Sequence, residues 1–212
     1  EPKPHFKFYY QEISTQKALA LDGLEIGYYY SLMPKLSLTI ATGSKTAVVG
    51  FNGIGKSTLL KTLMGEIPAI KGNFQFGEKT VLGYYEQELR FGDDQKTPLA
   101  YLLDLFPKMT VKELRGALAK CGISAEHIDR NIATLSGGEQ SKVKLCVLTL
   151  TPANFLILDE PTNHLDAQAK DGLEKAIRNF KGTVLFVSHD PLFYRDWADR
   201  VIDIEEHIII ND

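Results

Sequence analysis

Three short runs, TAVV (46–49), FLIL (155–158) and TVLFV (183–187), are apolar at nearly every position. A strand with one wet face alternates apolar and polar residues, so unbroken runs predict parallel strands covered on both faces. Helical patterns separate them, which gives an α/β sheet. In DAQAKDGLEKAIRNFKG (166–182), Leu173, Ala176, Ile177 and Phe180 share one helical face, and Gly182 follows as the candidate left-handed C-cap. LSLTI (36–40) and RVIDIEEHIII (200–210) mix alternation with short apolar runs, the pattern of antiparallel strands covered on one face. Between Gln87 and Leu135 the strand signals vanish, and TPLAYLLDLFP and TVKELRGALAKCG read as two helices. The expected organisation is a single domain over 1–212, with a core of 12–87 and 135–212 and a helical subdomain at about 88–134. The aromatic run HFKFYY (5–10) is expected to pack against the sheet, since no basic surround equips it to bind bases.

The densest punctuation follows the first buried run. GFNGIGKST (50–58) fits G-x-x-x-x-G-K-[ST] through Gly50, Gly55, Lys56 and Ser57, and it opens the helical stretch KSTLLKTLMG. Glycines let the backbone curl so that N–H groups point at phosphate oxygens, and the helix N-terminus adds a partial positive charge. In such a loop the Lys56 ammonium reaches the β and γ phosphates and the Ser57 hydroxyl ligates Mg²⁺. FLILDEP then ends a buried strand on Asp159 and Glu160. Sheet topology would bring this pair beside the phosphate loop, Asp159 to hold the metal shell and Glu160 to take a proton from an attacking water. A third element, LSGGEQ (135–140), opens the helix SKVKLCVLTL. Ser136 and Glu139 have capping-box spacing, but a cap does not ask for Gly137 and Gly138 in the first turn, where glycine weakens a helix. Two glycines baring N–H groups at a helix N-terminus suit a second anion site.

Composition narrows the classes. The 212 residues are 44% hydrophobic with a net charge of -3 and a pI near 6.0, so no global basic field draws the chain to nucleic acid or an anionic membrane. Cys121 and Cys146 lack metal-ligand spacing and are expected to be reduced, buried thiols. No apolar run approaches the roughly 20 residues a spanning helix needs, and the expected location is cytoplasmic. The start at Glu1 suggests a domain taken from a longer protein.

Taken in order, these motifs resemble the ATP-binding cassette family over essentially the whole chain. The phosphate loop is followed by Gln87 in YYEQE at the Q-loop position, LSGGEQ as the signature, LILDEP as Walker B, NHLD ending at Asp166 as the D-loop, and His189 in VSHD as the switch histidine. The resemblance implies a P-loop NTPase fold with an antiparallel β subdomain and an inserted helical subdomain. It implies a Mg²⁺-dependent ATPase whose loop residues Gly50, Asn52, Gly53, Gly55, Lys56, Ser57 and Thr58 hold ATP. Ser57, Gln87 and Asp159 would attend the metal, Asp159 through water. It implies that two cassettes close head to tail, so that Ser136, Gly137, Gly138, Glu139 and Gln140 serve the partner's nucleotide and Asp166 touches the opposing subunit. Gln87 would sense the γ-phosphate and His189 would stabilise its transition-state charge beside the base Glu160. Adenine would stack on an aromatic residue of GYYYS, with Tyr28 preferred over Tyr29 and Tyr30. His164 of NHLD is read as positioning its loop, and Ile54 departs from the small residue commonest there in transporters.

The wording DEPTNHLD with LSGGEQSKVKLC looks like the ABC-F branch, whose soluble two-cassette proteins often act on the ribosome. NGIGKST, FKF and the stretch 102–124 are similar to its second, C-terminal cassette. The partners implied are a second cassette, in the same full-length chain, and the ribosome, with no membrane contact and no sequence-specific nucleic-acid binding. The alternative is the motor domain of a membrane transporter.

Overall fold

The computed structural model describes residues 3–12, 15–51 and 53–205. Its backbone groups into two compact units: one comprises Tyr10–Gln87, Ala153–Pro161 and Lys181–Asp212, the other Glu1–Tyr9, Glu88–Pro152 and Thr162–Phe180.

The first unit holds two sheets. β1 (Lys17–Glu25), β2 (Leu36–Ala41) and β4 (Lys71–Phe76) form an antiparallel sheet in the order β2-β1-β4. β3 (Lys45–Val49), β5 (Leu82–Tyr85), β6 (Phe155–Asp159), β7 (Thr183–Val187) and β8 (Arg200–Asp203) form a parallel sheet in the order β5-β6-β7-β3-β8. The three continuous apolar runs are its central strands, and β6 and β7 are buried at every position. A core of Leu19, Leu24, Ile26, Leu60, Phe155, Ile157, Leu185 and Val187 is shared by strands of both sheets and by α1 (Lys56–Leu63).

One expectation fails here. Arg200–Asp203 of RVIDIEEHIII runs parallel to β3, pairing Ala47 with Val201 and Val48 with Ile202, where the alternation had suggested an antiparallel strand. The short helix α7 (Pro191–Tyr194) follows β7 and the chain returns in the same direction at the sheet edge. An edge strand wets one face, so Val201 is exposed while Ile202 is buried, and the alternation records edge position rather than direction. Residues 206–210 of the run lie outside the described residues.

The second unit is helical: α2 (Pro98–Leu105), α3 (Val111–Lys120), α4 (Ala125–Ile128), α5 (Gly137–Leu150) and α6 (Ala167–Asn179), with a 3₁₀ turn at Ile132–Thr134. The two helices expected before the signature form where threonine caps stand: Thr97 Oγ1 accepts from Ala100 N, and Thr110 exchanges capping-box bonds with Glu113. Leu102, Leu114, Leu118, Val143 and Leu145 supply its buried side chains, and Cys121 and Cys146 are free thiols buried among them. A hydrogen bond with Cys121 and burial push the Cys146 thiol up.

One further expectation is corrected in this part of the chain. Gly182 does not cap α6; the helix stops at Asn179 and Phe180 caps it in an extended conformation, which needs no left-handed glycine. Gly182 instead offers its carbonyl to Lys45 Nζ within the first unit. Phe6 and Phe8 come from the N-terminal aromatic run. They are buried in the helical unit, with the Phe8 and Phe180 rings edge to face at 6.1 Å. Gly172 of α6 makes room for that segment, since a Cβ there would stand 2.7 Å from the Pro4 carbonyl oxygen.

Candidate functional site

Four neighbouring strands of the parallel sheet carry four of the chemical motifs past their carboxyl ends. β3 leads into the phosphate loop, β6 ends on Asp159, β7 runs out to His189, and β5 leads to Gln87. Val187 pairs with both Val48 and Asp159, so the loop and the acidic pair flank the strand that delivers the histidine. The crevice outside the carboxyl ends of parallel strands is where α/β sheets place ligands.

The loop turns on left-handed glycines, Gly53 at φ 87° and Gly55 at φ 103°, the latter capping α1. Ile54 between them is buried in the apolar core, so the residue that looked anomalous in sequence anchors the loop from below. Lys56 is buried, and its ammonium lies within the loop, donating to the Gly50 carbonyl. Thr58 is buried in the first turn of α1. Asn52 lies outside the described residues.

Ser57 Oγ donates to Gln87 Oε1 at 3.1 Å, which joins the helix start to the second residue past β5. Asp159 is 1% exposed and its Oδ1 has no hydrogen-bond partner among the described residues. Burial pushes its carboxyl up to about 6, against the pull of the bonded Ser57 hydroxyl and with a further push from the Glu160 charge. A buried carboxylate oxygen without a donor, next to a hydroxyl and an amide oxygen, is the oxygen-rich donor set a hard divalent cation takes while keeping several waters. Among the described residues, no group of three or more His, Cys, Asp and Glu side chains is placed so that it could hold a metal ion.

Glu160 adopts φ 50°, a left-handed conformation that non-glycine residues rarely take. Its N–H still bonds the Val187 carbonyl at 3.0 Å. The turn sends its carboxylate to His189: Oε2 lies 2.7 Å from Nδ1 and 3.3 Å from the His189 backbone N–H, which donates to it. Glu160 is buried while the His189 side chain is 57% exposed, so the acid is held from one side by a ring whose remaining edge faces solvent. Tyr28, Tyr29 and Tyr30 are all exposed, at 63%, 98% and 71%, so packing does not single one out.

The signature residues lie in the helical unit. Ser136 Oγ accepts from Glu139 N at 3.2 Å and Glu139 Oε2 accepts from Ser136 N at 3.1 Å, the reciprocal box expected from their spacing. The glycines gain a packing reason that sequence did not show. A Cβ on Gly138 would sit 2.6 Å from the His164 carbonyl oxygen, and one on Gly137 would sit 3.2 Å from the His164 ring. His164 itself is left-handed, at φ 66°, in the loop before α6. Glu139 and Gln140 turn toward their own chain: Glu139 Oε1 meets His127 Nδ1 at 2.8 Å, and Gln140 Nε2 donates to the Ile132 carbonyl at 3.0 Å. Asp166 caps α6 by accepting from Ala169 N, and its other oxygen stands 3.9 Å from Lys142 Nζ. His127 and Lys142 went unnoticed in sequence, because partners 12 and 24 residues away leave no periodic trace.

A parallel sheet with a phosphate loop, an acidic pair and a histidine at adjacent strand ends, with a glycine-opened signature helix in a helical unit, defines an ATP-binding cassette. The ABC transporter family profile matches residues 33–163, more than half of the chain, and the chain belongs to that family. It is 43% identical over 205 residues to the ABC transporter ATP-binding protein YfmM of Bacillus subtilis, covering 97% of this chain and 39% of that protein. It is 41% identical over 196 residues to ABC transporter F family member 5 of Arabidopsis thaliana, covering 91% of this chain and 28% of that one. The chain thus spans well under half the length of these relatives. An ABC transporter ATP-binding protein from Pyrococcus furiosus shares the fold, with a TM-score of 0.74 at 23% identity over 89% of this chain and 98% of that one. Among the described residues, no helix is long and apolar enough to cross a membrane.

Proposed function

We propose that this cassette binds ATP with Mg²⁺ and hydrolyses it, as one half of a two-cassette protein of the ABC-F type that acts on the ribosome. The observation that carries the hydrolytic part is the Glu160–His189 contact at the end of β6, beside the phosphate loop. Lys56 and the loop N–H groups would bind the phosphates, and Ser57, Gln87 and Asp159 would hold the metal, which supplies charge neutralisation at the phosphates. Glu160 would accept the proton of the attacking water, its acceptor oxygen fixed by His189 before substrate arrives. In the closed state His189 would donate toward the γ-phosphate. Ser136 and the N–H groups of Gly137 and Gly138 would serve ATP on another cassette, and Asp166 would face the opposing subunit.

Support for the F-type assignment is the similarity to F family members of plants and mammals, 41% to the Arabidopsis thaliana member 5 and 40% to the Mus musculus member 3. Those relatives are long enough to contain a second cassette, since this chain covers 28% and 25% of them. The test is sedimentation of the full-length protein carrying Glu160→Gln, with the matching change in any other cassette, through sucrose with ribosomes. ATP-dependent travel with ribosomes is expected. Recovery in the membrane fraction instead would favour the motor domain of a transporter.

A further inference from the structure

We propose that His127 is a positioning residue for the signature turn, acting through Glu139 on the nucleotide that this turn serves. The inference rests on the reading above that Ser136, Gly137 and Gly138 engage ATP held by another cassette.

α4, which carries His127, has four residues, too few to persist as a helix on their own account. It is fixed by the Ser124 cap, whose hydroxyl accepts from His127 N, and by the burial of Ile123 and Ile128 on either side. His127 Nδ1 therefore stands at a determined place, 2.8 Å from Glu139 Oε1. The other oxygen of the same carboxylate accepts from Ser136 N at 3.1 Å. One carboxylate thus ties the N-cap of α5 to α4, and Gln140, through the Ile132 carbonyl, adds a second tie in the same direction.

The charged neighbours of His127 are occupied with each other. Arg130 pairs with Glu126 at 3.5 Å and Arg115 with Asp129 at 2.8 Å. Both members of the His127–Glu139 pair keep only 22% of their side-chain surface exposed, so solvent competes less for them than for an open surface pair. On the opposite side, the His164 carbonyl lies so close to Gly138 that no side chain fits between. The signature turn is gripped between α4 and the loop before α6. Without His127 the Glu139 carboxylate keeps its bond to the Ser136 N–H but loses the anchor that ties it to α4, so the backbone of the signature turn is held less firmly in place.

The test is made in the full-length protein with four changes: His127→Ala, His127→Asn, Glu139→Gln and Ser136→Ala. Asparagine keeps an N–H donor near the place of Nδ1. His127→Ala is expected to lower ATP turnover about fivefold, the size of one partly buried hydrogen bond to a carboxylate. Affinity for a fluorescent ATP analogue at this cassette's own phosphate loop, read with the phosphate-loop lysine of the other cassette replaced, should stay within about twofold, because this turn does not touch the nucleotide on its own cassette. His127→Asn should recover most of the turnover, and the His127→Ala/Glu139→Gln double variant should lose less than the product of the two single effects. Turnover unchanged in His127→Ala while Ser136→Ala falls overturns the proposal alone. Turnover unchanged in Ser136→Ala overturns the signature reading and this proposal with it. Equal losses in the alanine and asparagine variants, tracking a lowered melting temperature, assign His127 to packing and also overturn it.

Discussion

Asp159→Asn should make the nucleotide-free protein more stable at neutral pH while abolishing its ability to be stabilised by Mg²⁺ and ATP. The Asp159 carboxyl is held at about 6 against an ordinary 3.8, chiefly by burial. A carboxyl whose pKa is higher folded than unfolded favours the fold only when protonated. Its contribution is full below pH 3.8, is lost between 3.8 and about 6, and above that the ionised group is a constant cost. At roughly 1.4 kcal/mol per pKa unit the cost reaches about 3 kcal/mol at pH 8 and only about 0.5 kcal/mol at pH 4. Asparagine removes the charge, but its amide cannot satisfy every contact of the carboxylate, and one weakened bond to Ser57 returns about 1 kcal/mol. The net gain expected at pH 8 is about 2 kcal/mol, or roughly 4–8 °C in melting temperature for a protein of this size.

Urea unfolding of both proteins at pH 5, 6, 7 and 8, without metal or nucleotide, reads the difference directly. The gap should widen as pH rises through the window from 3.8 to about 6 and then level off. Saturating Mg²⁺ and ATP should reverse the order, because only the wild type gains the full linkage term from a tight complex. A gap that does not change with pH, or a variant less stable than wild type at pH 8, would refute the claim that burial of this carboxylate costs stability.

Three further outcomes follow from the same geometry. Glu160→Gln should retain ATP binding and lower single-turnover hydrolysis by about 10²-fold or more, and unchanged turnover would remove Glu160 as the base. Lys56→Ala should raise the ATP dissociation constant by about tenfold or more in calorimetry, as expected when one charge-assisted phosphate contact is lost; an unaltered affinity counts against the phosphate-loop assignment. Gly138→Ala should cost about 1–3 kcal/mol in urea melts, since the new methyl meets a backbone carbonyl that cannot swing away. Wild-type stability in that variant would mean that the loop carrying His164 yields easily.

Much of this protein was legible in its sequence wherever the cause is local. Continuous apolar runs forecast β3, β6 and β7 because a strand buried on both faces leaves polar residues only near its ends. The capping-box spacing of Ser136 and Glu139 forecast the start of α5 because a cap acts across three residues. The glycines of the phosphate loop forecast a chain path that only left-handed backbone can follow. What depended on tertiary structure was every relation between distant segments. The crossover through α7 decided the direction of β8, and its place at the sheet edge produced the alternation that had suggested an antiparallel strand. Strand order brought His189 onto Glu160 across 29 residues, and the packing of α4 brought His127 onto Glu139. The approach of the His164 carbonyl, not helix chemistry, is what leaves Gly138 no room for a side chain. A sequence pattern reports which face of a residue is covered, and only the closed chain determines what covers it.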